Sequence, residues 1–462
     1  MRRVVVLLSG DCVIDQSNRS LKFFLLGKEN LEFLSLVPLY IVLFNSKWFF
    51  IHIKGIHSSY TVLMGLALCI DYSLLFGGMY VDYNPEYINL FSSFLCQVGI
   101  PAVVKISVFR ELKLGIIRLL LAIAVCNSHF ELTSLPMVDG HEAVLTFFAV
   151  SGFYMAMILE ERKESPGCFY KSRILSLYPM FLFAVGVSAA ILFFLDAHPL
   201  ISRAQVVEIL SNPSGFFIVL WTSVCVVGQE LLFSLGGGEG GSLHFISGDM
   251  PSIYNHVFLV QAWSLSLEIV FYSLAPFLVR LNSKILLGLS FVSLLFRVFI
   301  VLTPLSDQSF FLRFFPADFW LFGFGIISYR FYRGLSKKVS IVDYLAFISL
   351  IALVMIAGGV SNTYVPFFLP MGAIVLQPFI FRAFQSLVLD CVVGKVTYPF
   401  YLLHYAVIGL FEEYADDPLG WHIFAVSMAA ALVAFLIFSP GIGVLRSKVR
   451  RRASGNPILG TA

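Results

Sequence analysis

Charged residues are scarce in this chain. They make up 13% of its 462 residues, whereas soluble domains average about 25%. So few charges cannot solvate the surface of a water-soluble fold, which excludes a cytosolic enzyme. The 31 basic and 28 acidic residues leave a net charge of only +3, which indicates no nucleic-acid partner.

Cysteine motifs and targeting signals are also missing. The seven cysteines are scattered and form no CxxC pair, so we predict neither a disulfide framework nor a metal site. The apolar run after Arg2 and Arg3 is interrupted at Asp11 and is too short for the core of a cleavable signal peptide. These absences exclude a disulfide-stapled secreted module.

Long hydrophobic runs dominate what is present. Hydrophobic residues make up 58% of the chain and the mean hydropathy is +0.87. The runs 174–195, 209–229 and 344–381 contain no Asp, Glu, Lys or Arg, as is typical of membrane-spanning helices. We therefore predict an all-α, polytopic transmembrane helical bundle with about ten core spans. The predicted spans are roughly 115–135, 142–160, 174–196, 264–280, 285–303, 315–331, 341–360, 367–385, 398–414 and 421–440.

The run 209–229 is ambiguous because its Asn-Pro-Ser-Gly segment at 212–215 would interrupt a spanning helix. If this run is re-entrant, seventeen cations share one side of the membrane and only Arg203 and Arg313 lie on the other. Lys and Arg collect in cytoplasmic loops, so we predict a re-entrant segment and a cytoplasmic C-terminus in the inner (plasma) membrane. The seventeen are Arg162, Lys163, Lys171, Arg173, Arg280, Lys284, Arg330, Arg333, Lys337, Lys338, Arg382, Lys395, Arg446, Lys448, Arg450, Arg451 and Arg452.

We predict three parts along the chain: a hydrophobic extension at 1–111, a membrane domain at 112–445 and a basic cytoplasmic tail at 446–462. The extension has apolar stretches near 33–45, 60–80 and 89–109. These stretches allow three interpretations: further spans, interfacial helices, or a segment upstream of the functional unit.

Ionisable side chains inside predicted spans are candidates for function because their burial in hydrocarbon is costly. Arg118 and His129 are eleven residues apart, which corresponds to about 16 Å of helix and about three turns. The two side chains therefore share one helix face and form a polar stripe into the membrane. The alternative is an arginine that snorkels to the interface and a histidine bonded to a nearby carbonyl.

Other ionisable residues allow two interpretations each. Glu268 either pairs with Arg297 of the next span, or orients a histidine or binds a sugar hydroxyl. His404 is either a packing residue among aromatic side chains or a catalyst. Lys171 and Arg173 either follow from topology alone or bind the phosphates of a cofactor that arrives from the cytosol.

Five sequence elements occur in an order that resembles the integral-membrane acyltransferase family 3. They are Arg118 with His129; Phe147, Phe148, Ser151, Gly152 and Phe153; Phe169, Tyr170, Arg173, Tyr178 and Pro179; Trp263, Glu268, Phe271 and Tyr272; and Tyr398, Pro399, Leu402, Leu403 and His404. Members of this family acylate bacterial cell-surface glycans and related lipids. The resemblance covers roughly residues 112–440 and implies a ten-helix core.

The resemblance makes Arg118 and His129 an essential pair. It also equates Arg173 with the first arginine of an Arg-x-x-Arg element, whose second position is Ser176 here. That departure weakens a two-arginine clamp on the cofactor, although Lys171 stands nearby. Residues 1–111 have no counterpart in the family pattern.

The function we predict is transfer of an acyl group, acetyl in the simplest case, from acetyl-CoA to a hydroxyl of a polysaccharide or lipid-linked sugar. Arg118, Arg173 and Lys171 bind the donor, and His129 is the general base or a transient acyl carrier. Glu268 assists catalysis, while Trp263, His404 and Tyr178 are the predicted substrate contacts. The predicted partners are acyl-CoA, the glycan acceptor and membrane lipid, with no metal and no nucleic acid. The alternative is a transporter or flippase of polysaccharide intermediates, in which the same charges line a path without chemistry.

Overall fold

The computed structural model describes residues 39–44, 48–53, 114–162, 165–237, 242–246, 252–307, 309–358, 365–416 and 419–453. The chain divides into two compact units, Met1–Ala102 and Val103–Ala462. In the first unit, β1 (Leu39–Phe44) pairs with β2 (Trp48–Ile53) as an antiparallel hairpin. The described part of the apolar stretch 33–45 is thus a strand, and the stretches 60–80 and 89–109 lie outside the described residues.

The described part of the second unit is almost entirely helical. Its helices are α1 (Gly115–His129), α2 (Gly140–Arg162), α3 (Pro166–Ala190, continued by a π-helical turn Ile191–Leu195), α4 (Arg203–Leu210), α5 (Pro213–Cys225), α6 (Ala262–Leu278), α7 (Ser283–Val301), α8 (Ser309–Leu312), α9 (Phe315–Gly334), α10 (Ile341–Gly358), α11 (Val365–Phe384), α12 (Val388–Tyr414) and α13 (Gly420–Ala453). A short hairpin of β3 (Leu235–Gly237) and β4 (Leu243–Phe245) lies between α5 and α6.

Eight described helices are long and apolar enough to cross a membrane, and the shorter apolar helices α1 and α6 bring the total to ten. The prediction of a polytopic all-α bundle is confirmed. Several boundaries differ from the prediction. Helices α3 and α12 begin earlier than predicted, at Pro166 and Val388. Helix α1 ends at His129 because the Asn127 side chain accepts hydrogen bonds from the backbone N–H groups of Leu132 and Thr133. Helix α13 continues to Ala453, so the predicted tail begins inside a helix.

Contacts between helix ends show that α1, α3 and α12 run in the same direction. We call the end of the bundle where α2 stops and α3 starts the basic end. At this end, Asp390 Oδ1 accepts a hydrogen bond of 2.9 Å from the Ile116 N–H. This bond joins the first turns of α12 and α1. At the other end, here called the histidine end, the Tyr414 hydroxyl donates to the Leu195 carbonyl at 2.9 Å. That bond joins the last turns of α12 and α3.

The segment formed by α4 and α5 enters the bundle and returns, as predicted for 209–229. The two helices meet at 119°, and the break follows the local sequence because Asn212 caps α5 and Pro213 begins it. The Tyr178 hydroxyl donates to the Cys225 carbonyl at 2.7 Å, so the end of α5 lies against the middle of α3. The chain then turns back, with its Gly228 N–H donating to Ser266 Oγ at 2.9 Å.

Helices α2 and α9 approach each other closely through glycines. A Cβ on Gly152 would lie 2.2 Å from the Phe322 carbonyl oxygen, and a Cβ on Gly325 would lie 2.2 Å from that of Ala149. Only glycine permits such backbone proximity between membrane helices. This contact fixes α2, which contributes Ser151 and Tyr154 to the interior described next.

Candidate active site

Arg118 and Arg173 converge on one aromatic ring near the basic end. The Arg118 Cζ lies 4.5 Å from the centroid of the Tyr154 ring, and the Arg173 Cζ lies 6.0 Å from it. The Tyr154 side chain comes from α2 and is buried, whereas the arginines come from α1 and α3. The fold thus brings together two of the three predicted donor-binding residues.

Both guanidinium groups retain unused hydrogen-bond donors. The Nε atoms of Arg118 and Arg173 are buried and have no hydrogen-bond partner among the described residues. The Asp390 carboxylate attracts Arg118 electrostatically. It does not pair with the guanidinium group directly, because its Oδ1 accepts a hydrogen bond from the backbone N–H of Ile116 at the start of α1. No ion pair joins Arg118 or Arg173 to a carboxylate within the described ranges. Two neighbouring cations in this state are costly inside a helical bundle, and an anionic ligand would remove that cost. The residues therefore fit a phosphate-bearing donor.

The first turns of α3 show how the missing arginine of the Arg-x-x-Arg element affects the site. Ser176 Oγ donates to the Ser172 carbonyl at 2.7 Å, so this hydroxyl is used within the helix. Lys171 is exposed. Arg446 of α13 reaches the same turn and donates from Nε to Ser172 Oγ at 3.1 Å. Sequence spacing could not identify Arg446, because it is 274 positions from Ser172.

The carboxylate of Glu268 is held by hydroxyl groups. It accepts a short hydrogen bond from Ser151 Oγ of α2 and one of 2.6 Å from the Tyr272 hydroxyl of α6. The interpretation in which Glu268 pairs with Arg297 is wrong, because Arg297 pairs with Asp318 at 3.5 Å. The hydrogen bonds of Glu268 in the described structure include no histidine. Its predicted role in catalysis therefore stays a prediction without a direct contact to His129.

His129 and His404 meet at the histidine end. Their ring centroids are 5.7 Å apart with the planes inclined at 26°, and the Tyr405 ring lies edge-on to His129 at 4.9 Å. His129 is exposed, whereas His404 is fully buried. The exposed imidazole is therefore the one that a substrate can reach, and the buried imidazole supports it.

The protonation of His404 follows from its neighbours. Its Nδ1 lies 2.8 Å from the Tyr401 carbonyl oxygen, which can only accept, so Nδ1 carries a proton. In the neutral ring Nε2 then bears a lone pair, and this atom is buried without a hydrogen-bond partner among the described residues. Because this atom is buried, its lone pair is shielded from a substrate hydroxyl and lies beside the His129 ring.

Two predicted substrate contacts are already engaged within the protein. The Trp263 ring is 7% exposed and stacks on His141 at 5.5 Å. The Tyr178 hydroxyl donates to the backbone at the end of α5. A sugar that stacks on Trp263 would have to share the ring with His141, and Tyr178 positions the re-entrant segment.

Sequence reasoning missed His141 and Arg313. Both lie near Trp263, with the Arg313 Cζ at 5.0 Å from its ring. No motif marks them, since they come from the first turn of α2 and the residues before α9. Their position beside a motif residue becomes visible only when the helices are packed.

Comparison with known proteins places this geometry in context. The sequence model of acyltransferase family 3, described as an acyltransferase domain, matches residues 111–439. No curated protein and no solved structure matches the chain. The matched region contains both arginines and both histidines of the site.

Proposed function

Because the chain belongs to acyltransferase family 3, we propose that this membrane acyltransferase moves an acetyl group from acetyl-CoA to a hydroxyl of a cell-surface polysaccharide or glycolipid. The observation that carries the proposal is the arrangement of α1. Its Arg118 lies over the Tyr154 ring near the basic end, and its His129 meets His404 at the histidine end. Helix geometry separates the two residues by about 16 Å, so donor phosphates and reacting hydroxyl occupy opposite ends of one helix.

Arg118, Arg173 and Lys171 would hold the phosphates of the donor, and Arg446 stands beside them. Arginine suits this task because its planar group donates two parallel hydrogen bonds to a phosphate. The donor supplies the acetyl group as a thioester at the end of a flexible arm. The proposal requires that arm to span the distance of about 16 Å between Arg118 and His129.

His129 acts as general base on the acceptor. Its ring takes the hydroxyl proton while the acceptor oxygen bonds to the carbonyl carbon, the carbon–sulfur bond breaks and the thiolate leaves. His129 then returns the proton to the thiolate sulfur, which regenerates the neutral ring. His404 positions His129 through the stacked contact at 5.7 Å.

We place the basic end and the C-terminus in the cytoplasm of the inner (plasma) membrane, where acyl-CoA is made. The support is the distribution of cations, with Arg173, Arg330 and Arg382 among those at the basic end. The acceptor then reaches His129 from the opposite side. This topology lets one polar path connect a cytoplasmic donor to an external glycan.

Mass spectrometry of surface glycans tests the proposed function. Cells that express the chain should carry glycans heavier by one acetyl group per modified residue, and cells that express His129→Ala at equal abundance should not. Glycans of unchanged mass, exported in larger amounts, would instead support the flippase alternative. Acetyl groups found on amines rather than hydroxyls would contradict the assignment of the acceptor atom.

A further inference from the structure

A cluster of aromatic residues encloses a guanidinium group at the histidine end. The Arg313 Cζ lies 3.7 Å from the centroid of the Phe233 ring and 5.0 Å from that of Trp263. The Tyr254 ring stacks on Phe233 at 3.6 Å, and the His141 ring stacks on Trp263 at 5.5 Å. We call these five residues the arginine box.

The two arginines at the box differ in how directly they meet a carboxylate. Arg297 pairs with Asp318 at 3.5 Å and donates to backbone carbonyls of the segment before α9. Arg313 has no ion pair within 4 Å among the described residues. Its electrostatic attraction to Asp318 acts at longer range, and Asp318 is already paired with Arg297. A second carboxylate, that of Glu142 in the first turn of α2, also interacts electrostatically with Arg297. Arg313 is therefore the guanidinium group that has no anionic group in direct contact among the described residues.

Buried polar atoms in the box also have no partners. Arg313 Nε and both ring nitrogens of His141 are buried without a hydrogen-bond partner among the described residues. Orphaned groups of this kind are rare in folded proteins and call for a ligand or water. Burial and the neighbouring Tyr405 raise the pKa of the Tyr254 hydroxyl, and Arg313 only partly opposes them, so the hydroxyl keeps its proton.

The arginine box is next to the proposed site of chemistry. Tyr405 contacts the His129 ring edge-on at 4.9 Å. The same Tyr405 packs with Tyr254 against one hydrophobic cluster, which includes Leu232 and Val260. A ligand in the box therefore lies on the acceptor side of His129, away from Arg118 and Arg173.

We propose that the arginine box binds a carboxylate or phosphate group of the acceptor, so that the preferred acceptor is an anionic sugar. This inference rests on the proposed function for its assumption that the acceptor enters at the histidine end. An anion gives Arg313 a direct partner and accepts from its unpartnered Nε–H, whereas a neutral sugar gives it no such partner. Sites built to pair buried polar groups reject analogues that lack the partner.

Equilibrium binding to the purified full chain in detergent tests the inference without relying on turnover. The probes are methyl β-glucoside, methyl β-glucuronide, glucose 1-phosphate and inorganic phosphate. We expect one or both anionic sugars to bind about ten- to hundredfold more tightly than the neutral glucoside, as expected for a hydrogen-bonded charge. Preference for the glucuronide indicates a carboxylate, and preference for glucose 1-phosphate, with weaker binding of inorganic phosphate, indicates a sugar phosphate.

Variants then assign the preference to the box. Arg313→Gln should bind all the sugars as weakly as wild type binds the neutral one, and Arg313→Lys should keep an intermediate preference. The matched control is Arg203→Gln, because Arg203 is a cation at the same end, exposed and paired with Asp196 at 3.8 Å. This control should keep the wild-type preference.

Two results overturn the inference: equal binding of all sugars by wild type, or a preference that survives in Arg313→Gln. If the Arg313→Gln protein does not fold, the comparison of neutral and anionic sugars on the wild-type protein still tests the inference. Acetyl transfer measured with the same sugars separates the two proposals. If the chain binds anionic sugars preferentially but transfers no acetyl group, the proposed function is contradicted and the inference about the arginine box stands. If the chain transfers acetyl groups but binds neutral and anionic sugars equally, the inference about the arginine box is contradicted and the proposed function stands.

Discussion

Two groups of helices use arginine in opposite ways. In α7, α9 and α11, each of Arg297, Arg330 and Arg382 has a carboxylate partner, the closest being Arg382 Nη2 to Asp343 Oδ1 at 2.6 Å. In α1 and α3, Arg118 and Arg173 contact aromatic rings, and their Nε atoms have no partner among the described residues. The paired arginines join helices, whereas the unpaired arginines are available to a ligand. We therefore expect pairing to distinguish arginines that stabilise the bundle from arginines that bind a ligand.

The largest effect should come from His129→Ala. Removal of a general base lowers the rate of transfer by about 10²- to 10⁴-fold, and the exposed position of His129 predicts little change in protein abundance. Acetyl transfer by purified protein, normalised to folded protein, measures this loss. His422→Ala is the matched control because His422 lies at the same end and its ring packs on Trp421 at 3.7 Å.

His404→Ala sharpens the comparison between the two histidines. If His404 positions His129, its loss lowers the rate by about tenfold, less than the loss of the base itself. If His129→Ala keeps full activity while His404→Ala is inactive at equal abundance, the base is His404. Full activity in both variants contradicts histidine catalysis altogether.

Replacement of an unpaired arginine should weaken donor binding. Each of Arg118→Ala and Arg173→Ala removes charge-assisted hydrogen bonds, so KM for acetyl-CoA rises by about ten- to hundredfold. Lysine at either position restores part of the loss because it keeps the charge without the planar group. The control is Arg333→Ala at the same end, since Arg333 is paired with Glu160 at 2.6 Å. An unchanged KM in both alanine variants would reduce Arg118 and Arg173 to topology determinants.

Replacement of a paired arginine should have the smallest effect on activity. Arg382→Ala leaves the buried Asp343 without its partner, which costs about 3–5 kcal/mol of stability. The thermal midpoint in detergent should fall, while KM for acetyl-CoA of the remaining folded protein should not change. A raised KM without loss of stability would mean that paired arginines also bind the donor, and the comparison would fail.

The sequence predicted the spans well because apolar runs and cation placement are local signals. It also placed Arg118 and His129 on one helix face, which needs only the helical period. It failed where partners come from other helices. One of the two interpretations of Glu268 pairs it with Arg297 of the next span, but the partner of Arg297 is Asp318 of α9. Periodicity gives the face of a helix and does not reveal which helix lies against that face.

The arginine box and Arg446 show the same limit. Arg313 stands in a short connection before α9 and resembles any loop cation until Phe233 and Trp263 are seen around it. Arg446 belongs to a run of basic residues that topology alone explains, and only the packing of α13 brings it to Ser172. In both cases the neighbours of the arginine come from distant parts of the sequence, so only the packed structure identifies them.

The central claim is that donor and acceptor enter the bundle from opposite ends. Proteoliposomes in which the chain has one orientation test it directly, with Lys337 and Glu412 replaced by cysteine in a cysteine-free background to report that orientation. Both positions are exposed, the first at the basic end and the second at the histidine end. Radiolabelled acetyl groups should reach the glycan only when acetyl-CoA is on the side of position 337 and the glycan is on the side of position 412. Equal transfer with both substrates on the side of position 412 would contradict the account.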